Sequence, residues 1–443
     1  MSRSPASPLN VLAVLLISVW MMLPVFSSLV GFGPLLLLVL VWALSSDIET
    51  LSRAVGDNAW LLVWLGFLVI LLATNSWDYG GVSFVPFLEG TVFFSLGAIF
   101  FRYYERRHNY GVLALACAVS LSAFSLGAVM SSIQLWSHPL ASRILATGAP
   151  DKSYIALGIG GFGHVYAAVV VVASLGWFGL RIRRRRPLIA VAAFAMIAAV
   201  SVFVVMSQYT TALLFTTLML GLLLVRTRSG RTLFIVGAVA LVLLILYGRQ
   251  FGELLVALAS LLPDTYASQT RVLDLSQLFL NGQASDLSES RLTLYGRSLT
   301  AFFNSPVFGL VTRPSALSVG GHSGWLDLLG AFGLAGAAPF GLFLRRSFRQ
   351  QAEAVKNIEG ARVVLMLAWA YAFLFGIVNP IAYVKELGYV LLLVLPSVPF
   401  LYLRLHGEPG SSHVEEHLRG GSLETPLSQL RQRTRLPHRG RGH

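Results

Sequence analysis

Acidic residues and cysteine are scarce in this chain, and long polar stretches are few. Only 20 of its 443 residues are Asp or Glu, against 33 Lys and Arg, and charged residues together make up 12% of the sequence. With 56% hydrophobic residues and a mean hydropathy of +0.72, the apolar surface is far more than a soluble core can hide. That balance excludes a soluble globular enzyme and indicates a polytopic membrane protein. The single cysteine, Cys117, falls within an apolar stretch, which excludes a disulfide framework, a zinc cluster and dithiol redox chemistry. A small buried hydrophobe is its expected role. The sequence holds no Gly-rich phosphate loop of the nucleotide-binding type, so nothing supports ATP-driven chemistry. It also has no acidic cluster with cation-ligand spacing, so neither a metal nor another cofactor is expected. The net charge of +13 calls for no nucleic-acid partner, because most arginines sit in short clusters between apolar stretches, as anchors against anionic headgroups do.

What is abundant is apolar sequence long enough to cross a bilayer. Windows of about 19 residues predict an all-α chain of about twelve spans, near residues 10–26, 29–45, 59–75, 84–101, 110–132, 158–180, 187–206, 208–225, 232–247, 324–344, 361–378 and 387–404. The first is expected to be a retained helix rather than a cleaved signal. Arg102, Arg106 and Arg107 follow the fourth span, Arg181 to Arg186 the sixth, Arg226, Arg228 and Arg231 the eighth, and Arg345, Arg346 and Arg349 the tenth. Since Lys and Arg mark cytoplasmic loops, this regularity puts both termini in the cytoplasm and the odd-to-even loops outside. The segment 46–58 fits poorly, holding Asp47, Glu49 and Asp57 against Arg53 alone. The expected organisation is therefore spans one to nine over 1–247, a large external loop over 248–321, spans ten to twelve over 322–405, and a basic cytoplasmic tail without apolar periodicity over 406–443.

Among the external loops, 248–321 alone is large enough to fold over a ligand, and short helices are expected in it. Phe251 to Leu262 reads as an interfacial amphipathic helix ending at Pro263. Asp286 and Glu289 resemble a capping pair opening a second helix that Asn304, Ser305 and Pro306 close. On that helix Leu292, Tyr295, Leu299 and Phe303 recur at helical spacing, an apolar face expected to lie on the membrane domain. Arg291 and Tyr295 are one turn apart and can reach the same ligand, whereas Arg297 projects elsewhere. A smaller external segment, from Gln134 to about Ile159, carries His138, Arg143, Asp151 and Lys152 and is placed to wall the same cavity. His164 and Glu89 are ionisable residues near or within spans, which makes each a functional candidate or a structural pair between helices. Gly330, Gly333 and Gly336 are read as permitting close helix packing.

His322 and Ser323, followed after nine residues by Gly333 and then Gly336, form a pattern similar to the signature of the bacterial O-antigen ligase and polysaccharide polymerase superfamily. The Arg-led Ser290-Arg291-Leu-Thr-Leu-Tyr295 and the turn Ser305-Pro306-Val-Phe-Gly309 just upstream also resemble that family. Gly161-Phe-Gly-His164-Val-Tyr166 and Ser207-Gln208-Tyr209-Thr210-Thr211-Ala212-Leu213 are weaker matches. One departure matters: where many relatives carry a basic residue before the Thr-Ala-Leu of the eighth span, this chain has Thr210, so if that residue grips phosphate in relatives, either Arg271, Arg297 or Lys152 takes its place here or the substrate differs.

The resemblance implies a GT-C-like helical membrane glycosyltransferase of the inner membrane. Such an enzyme moves oligosaccharide from a polyprenyl-diphosphate carrier to an acceptor hydroxyl on the outer face, as a polymerase or a ligase. It implies catalytic roles for His322 and Arg291, and substrate contacts from Arg297, Arg271, Tyr295, Lys152, His164 and Asp327. The partners implied are the lipid-linked donor, a glycan or lipid acceptor, the bilayer and other polysaccharide-assembly membrane proteins. The residue types suit that chemistry. A guanidinium fork binds two phosphate oxygens at once and meets charge as it develops on the leaving group. Histidine is the side chain best matched to accepting a proton near neutral pH. For Asp327 the alternatives are orienting His322 and complementing the positive end of the tenth span. The alternative function is a twelve-span secondary transporter with His164 and Glu89 as a proton relay.

Overall fold

A computed structural model describes residues 7–26, 33–73, 77, 82–145, 152–224, 247–260, 286–312 and 318–407, with isolated short pieces between 269 and 280. The predicted ninth span at 232–247 lies almost wholly outside the described residues, and Arg271, Arg313, Asp151 and the tail beyond 407 lie entirely outside them.

All described elements are helical. In chain order they are α1 (Pro8–Met22), α2 (Gly33–Leu44), α3 (Ile48–Asp57), α4 (Ala59–Ala73), α5 (Phe84–Arg106), α6 (Tyr110–Ser137), α7 (Ala141–Ile144), α8 (Lys152–Ala156), α9 (Phe162–Ile182), α10 (Pro187–Met206), α11 (Thr210–Leu224), α12 (Gly248–Ser260), α13 (Asp286–Asn304), α14 (Gly324–Ala354), α15 (Ala361–Val378) and α16 (Lys385–His406). Seven of them are long and apolar enough to cross a membrane: α5, α6, α9, α10, α14, α15 and α16. The helices α1, α4 and the Thr211–Leu222 part of α11 are apolar but shorter. Among the described residues the protein is thus all-helical, with seven apolar helices of membrane-spanning length.

The last helix is the axis of the packing. From Leu387 to Phe400 every residue of α16 is buried, and its neighbours include α5, α6 and α9. Close approach rests on glycine: a side chain at Gly388 would strike Phe94, and one at Gly97 would press on Leu392 and Leu393. Midway, Val390–Val394 widens into a π-helical stretch whose carbonyls at Leu391 and Leu392 accept from Gln351 Nε2 at 3.3 and 3.5 Å. Gln351 Oε1 in turn accepts from Trp369 Nε1 at 2.9 Å, so this buried amide spends both ends. Beside the axis, Trp64, Phe67, Phe87 and Phe332 pack edge to face or stacked and join α4, α5 and α14.

The arginine-bearing helix ends lie together at one end of the bundle. Asp57 closes α3 and takes Arg102 Nη2 and Arg106 Nε, each at 2.6 Å, with Arg346 Nη2 at 3.7 Å. Arg181 meets Glu359 at 3.0 Å, and Arg404 donates to the Gly111 carbonyl at 3.0 Å. The awkward segment 46–58 is explained here. It turns by 115° from α2 as an amphipathic helix, capped by Asp47 on Thr50 N, and delivers the carboxylate these arginines need. Partial burial raises the Asp57 pKa, but the hydrogen bonds and charges of Arg106 and Arg102 outweigh it and hold the carboxyl below its usual range.

Candidate functional site

At the opposite end of the bundle, the first turns of α5, α9, α14 and α16 come together with α13, and two polar groups form there. The first is built around Asp327. This residue is fully buried one turn into α14. Its Oδ1 accepts from Ser298 Oγ of α13 at 2.6 Å, and its Oδ2 accepts from Ser323 N at 2.9 Å. Ser298 Oγ also accepts from Gly320 N at 2.9 Å, so one hydroxyl joins α13, the approach loop and α14. Ser323 caps α14, its Oγ accepting from Leu326 N at 3.4 Å. The loop 318–323 is thereby pinned at both ends, and His322 is displayed on it with an exposed ring. Gly321 supplies the left-handed turn, at φ 74°, that lifts the chain to that position.

Both readings of Asp327 meet in this arrangement, since the carboxylate stands in the first turn of α14 and also bonds the loop that carries His322. Its carboxylate oxygens are engaged by Ser298 and Ser323, and it orients the backbone that carries His322 rather than bonding the ring. The charge remains within electrostatic reach of His322 and of Tyr383. Burial, with the neighbouring Asp327 charge second, pushes the Tyr383 phenol up to about 12, so it stays a neutral donor.

The Arg-led helix is fixed against the same loop. A side chain at Gly320 would strike the Leu294 carbonyl, and one at Gly330 would meet the Ser298 carbonyl at 2.7 Å. Arg291 begins the turn before Leu294; its backbone is helical, and its side chain, like that of Lys152 on α8, lies outside the description. Tyr295 is half-buried and Arg297 exposed. The predicted docking face of α13 is corrected: Leu292 and Phe303 are 66% and 72% exposed, and Leu299 is exposed too. The buried stripe is Ser298 and Ala301, because only small residues let α13 approach α14 at Gly330.

The two glycine motifs form a backbone lock. The turn Pro306 to Gly309 enters a break in α14 at Gly333, where φ is 60° and ψ −166°. Leu334 N and Ala335 N donate to the Pro306 and Val307 carbonyls at 2.8 Å each, replacing the helical bonds lost at the break. Of the three glycines read as packing residues, Gly330 and Gly336 do pack, against α13 and Phe67, whereas Gly333 serves the break.

The second group lies on α5, α9 and α16. Glu89 Oε1 accepts from Lys385 Nζ at 3.2 Å, and that ammonium stands 4.9 Å above the Trp20 ring. His164 Nδ1 is 3.7 Å from Glu386 Oε1, and the Glu386 carboxylate lies over Gly163, in the space a side chain there would take. His164 and Glu89 therefore do not pair with each other; they meet consecutive residues of α16. Lys385, Glu386, Ser298 and Tyr383 escaped the sequence reading. A Lys-Glu pair opening an apolar span was the available signal for two of them; Ser298 and Tyr383 give none. Among the described residues, no three of His, Cys, Asp and Glu gather to hold a metal ion.

No protein-family model matches the chain, and no curated protein compared with it is similar. The family resemblance rests on the motif residues themselves.

Proposed function

We propose that the chain is a metal-independent membrane glycosyltransferase of GT-C-like organisation. In this reading it transfers oligosaccharide from a polyprenyl-diphosphate carrier to an acceptor hydroxyl at the outer face of a bacterial inner membrane. The observation that carries the reading is the pinning of an exposed His322 loop against the Arg291-led helix through Ser298, Gly320 and Asp327. A base and a phosphate-binding cation must be held close and rigid for such a transfer. The acceptor oxygen forms the new bond to the anomeric carbon while the bond from that carbon to the phosphate oxygen breaks. The acceptor proton passes to His322. The negative charge left on the lipid diphosphate is met by Arg291, whose charge persists at any physiological pH. Tyr295, on the same helix, faces the same ligand in this scheme. Arg297 and Lys152 serve as outer contacts, and Arg271 belongs to the same loop. The exposed Leu292, Phe303, Val307 and Phe308 give the lipid tail an apolar surface to leave by.

Polymerase and ligase are the same transfer with different acceptors. The Gly-His-Ser-Gly-Trp-Leu-Asp-Leu stretch favours the polymerase. The glycan profile of a strain lacking the protein separates them: loss of long chains with one repeat kept on the acceptor indicates a polymerase, and complete loss of acceptor-linked glycan a ligase. An unchanged profile contradicts both. The second reading, a secondary transporter, rests on Glu89 and His164 standing as ionisable residues on apolar helices, each beside a charged residue of the axial helix.

A further inference from the structure

Four ionisable side chains stand together where α5, α9 and α16 begin: Glu89, Lys385, His164 and Glu386. Lys385 is fully matched, with Glu89 Oε1 at 3.2 Å and the Trp20 ring 4.9 Å below its ammonium. Glu386 is not. Its Oε1 stands 3.7 Å from His164 Nδ1, beyond hydrogen-bond reach, and its Oε2 rests over Gly163. Among the described residues no donor bonds either oxygen. The His164 ring is stacked on Phe124 at 6.1 Å, which holds its plane beside the carboxylate. A carboxylate withdrawn from water without a donor is costly, and such groups are usually satisfied by something. The Glu386 and His164 side chains are each 12% exposed, and Lys385 and Glu89 23% and 30%, so the cluster is recessed but not sealed.

Charge decides what this recess accepts. Glu89 and Lys385 cancel, and Lys385 also acts on His164, so a cationic ligand at Glu386 would meet a nearby ammonium. A phosphate or carboxylate would meet two carboxylates instead. A neutral ligand rich in O–H groups meets neither penalty. An ionised carboxylate is an acceptor only, with two oxygens side by side, and it takes two adjacent hydroxyls at once. Adjacent hydroxyls are what a sugar ring offers.

The stretch that carries Glu386 is also tied to the His322 loop. The Asn379 carbonyl accepts from Gly324 N at 2.9 Å, and the Ala382 carbonyl accepts from Thr91 Oγ1 at 3.2 Å. The Tyr383 carbonyl then lies over Gly90, the neighbour of Glu89. One short run of chain thus holds both the recess and the start of α14.

We propose that Glu386 is a sugar-binding residue, its carboxylate accepting adjacent hydroxyls of a neutral sugar unit in the recess it shares with His164. The recess is read from its own geometry and charge. That the sugar belongs to the glycan being transferred rests on the function proposed above.

The test uses the purified full chain in detergent and, as probe, the oligosaccharide repeat released from its lipid carrier by mild acid, which carries no diphosphate. Calorimetric titration is expected to show saturable binding to the parent, weaker by about ten- to hundredfold in Glu386→Gln, which keeps the shape and loses the charge. The ligand-free Glu386→Gln protein should melt with the parent, because no hydrogen bond to the carboxylate is lost. A lower melting temperature with parental affinity makes Glu386 a structural tie and overturns the site. A parent that shows no saturable binding, or parental affinity in Glu386→Gln, overturns it too. If Glu386→Gln does not fold, Glu386→Asp, charged but a methylene shorter, takes its place: it should bind more weakly, and parental affinity overturns the site. Turnover separates the two sources of the sugar. A raised KM for the lipid-linked donor assigns the recess to the donor glycan, and a raised KM for the acceptor assigns it to the acceptor glycan. Glu386-dependent binding in a protein without glycosyl transfer keeps the site and removes the transferase reading. Transfer by the parent, with Glu386→Gln binding and turning over equally well, does the reverse.

Discussion

Gly309 and Gly333 meet backbone to backbone, each at φ 60°, so that a side chain on either would collide with the main chain opposite: Ala331 and Gly333 for the first, Val307 and Gly309 for the second. This contact joins the turn after α13 to the break in α14 and sets the register between the Arg291 helix and the His322 loop. Gly333→Ala is expected to cost about 2–5 kcal/mol, from a strained backbone plus overpacking. It should lower the melting temperature in detergent and reduce activity per folded molecule. Gly341→Ala, which meets nothing within 4 Å, is the control and should melt like the parent.

Asp327 and Ser298 are positioning residues in this account. Ser298→Ala leaves a buried carboxylate oxygen and the Gly320 N–H without a partner, so a loss of about 1–3 kcal/mol is expected. The distinguishing readout is kinetic: kcat should fall with little change in KM for the donor, because the loop holding the base loosens while the arginines stay. A Ser298→Ala protein with parental kcat would reduce this hydroxyl to a purely structural tie.

Asp57 makes stability depend on acid. Its folded pKa lies below the unfolded carboxyl value of about 3.9, so its contribution is fully present above pH ~4 and is lost as pH falls through the depressed folded value. Melting curves between pH 3 and 7 should show the parent losing stability at the acid end. Asp57→Asn should be less stable at pH 7 and should lack part of that acid dependence. Parallel curves for the two proteins would contradict the clamp.

Orientation follows from the arginine end. Reporters fused at Arg184 and Arg346 should read as cytoplasmic, and one at Ser285 as external. A cytoplasmic Ser285 would put the His322 end on the wrong face for a flipped lipid-linked donor.

Much of the helical framework was legible in the sequence because apolar windows and bilayer thickness fix element length. The helix Asp286–Asn304 was legible too, its end from the Ser305-Pro306 stop. Hydropathy could not show that 46–58 bends across the bundle end, since an amphipathic helix of ten residues reads as a charged loop. It also misplaced the docking face of α13: periodicity finds the apolar stripe, whereas the small residues Ser298 and Ala301 make the protein contact. The Glu89–Lys385 and His164–Glu386 pairs join residues more than two hundred positions apart, which no local pattern reports.

The central claim is tested most directly by single-turnover transfer from a purified polyprenyl-diphosphate oligosaccharide, comparing the parent with His322→Ala at measured folded fraction and donor affinity. The account predicts a rate lower by roughly 10²- to 10⁴-fold with donor binding nearly intact. A folded His322→Ala protein that binds donor and transfers at the parental rate would contradict it.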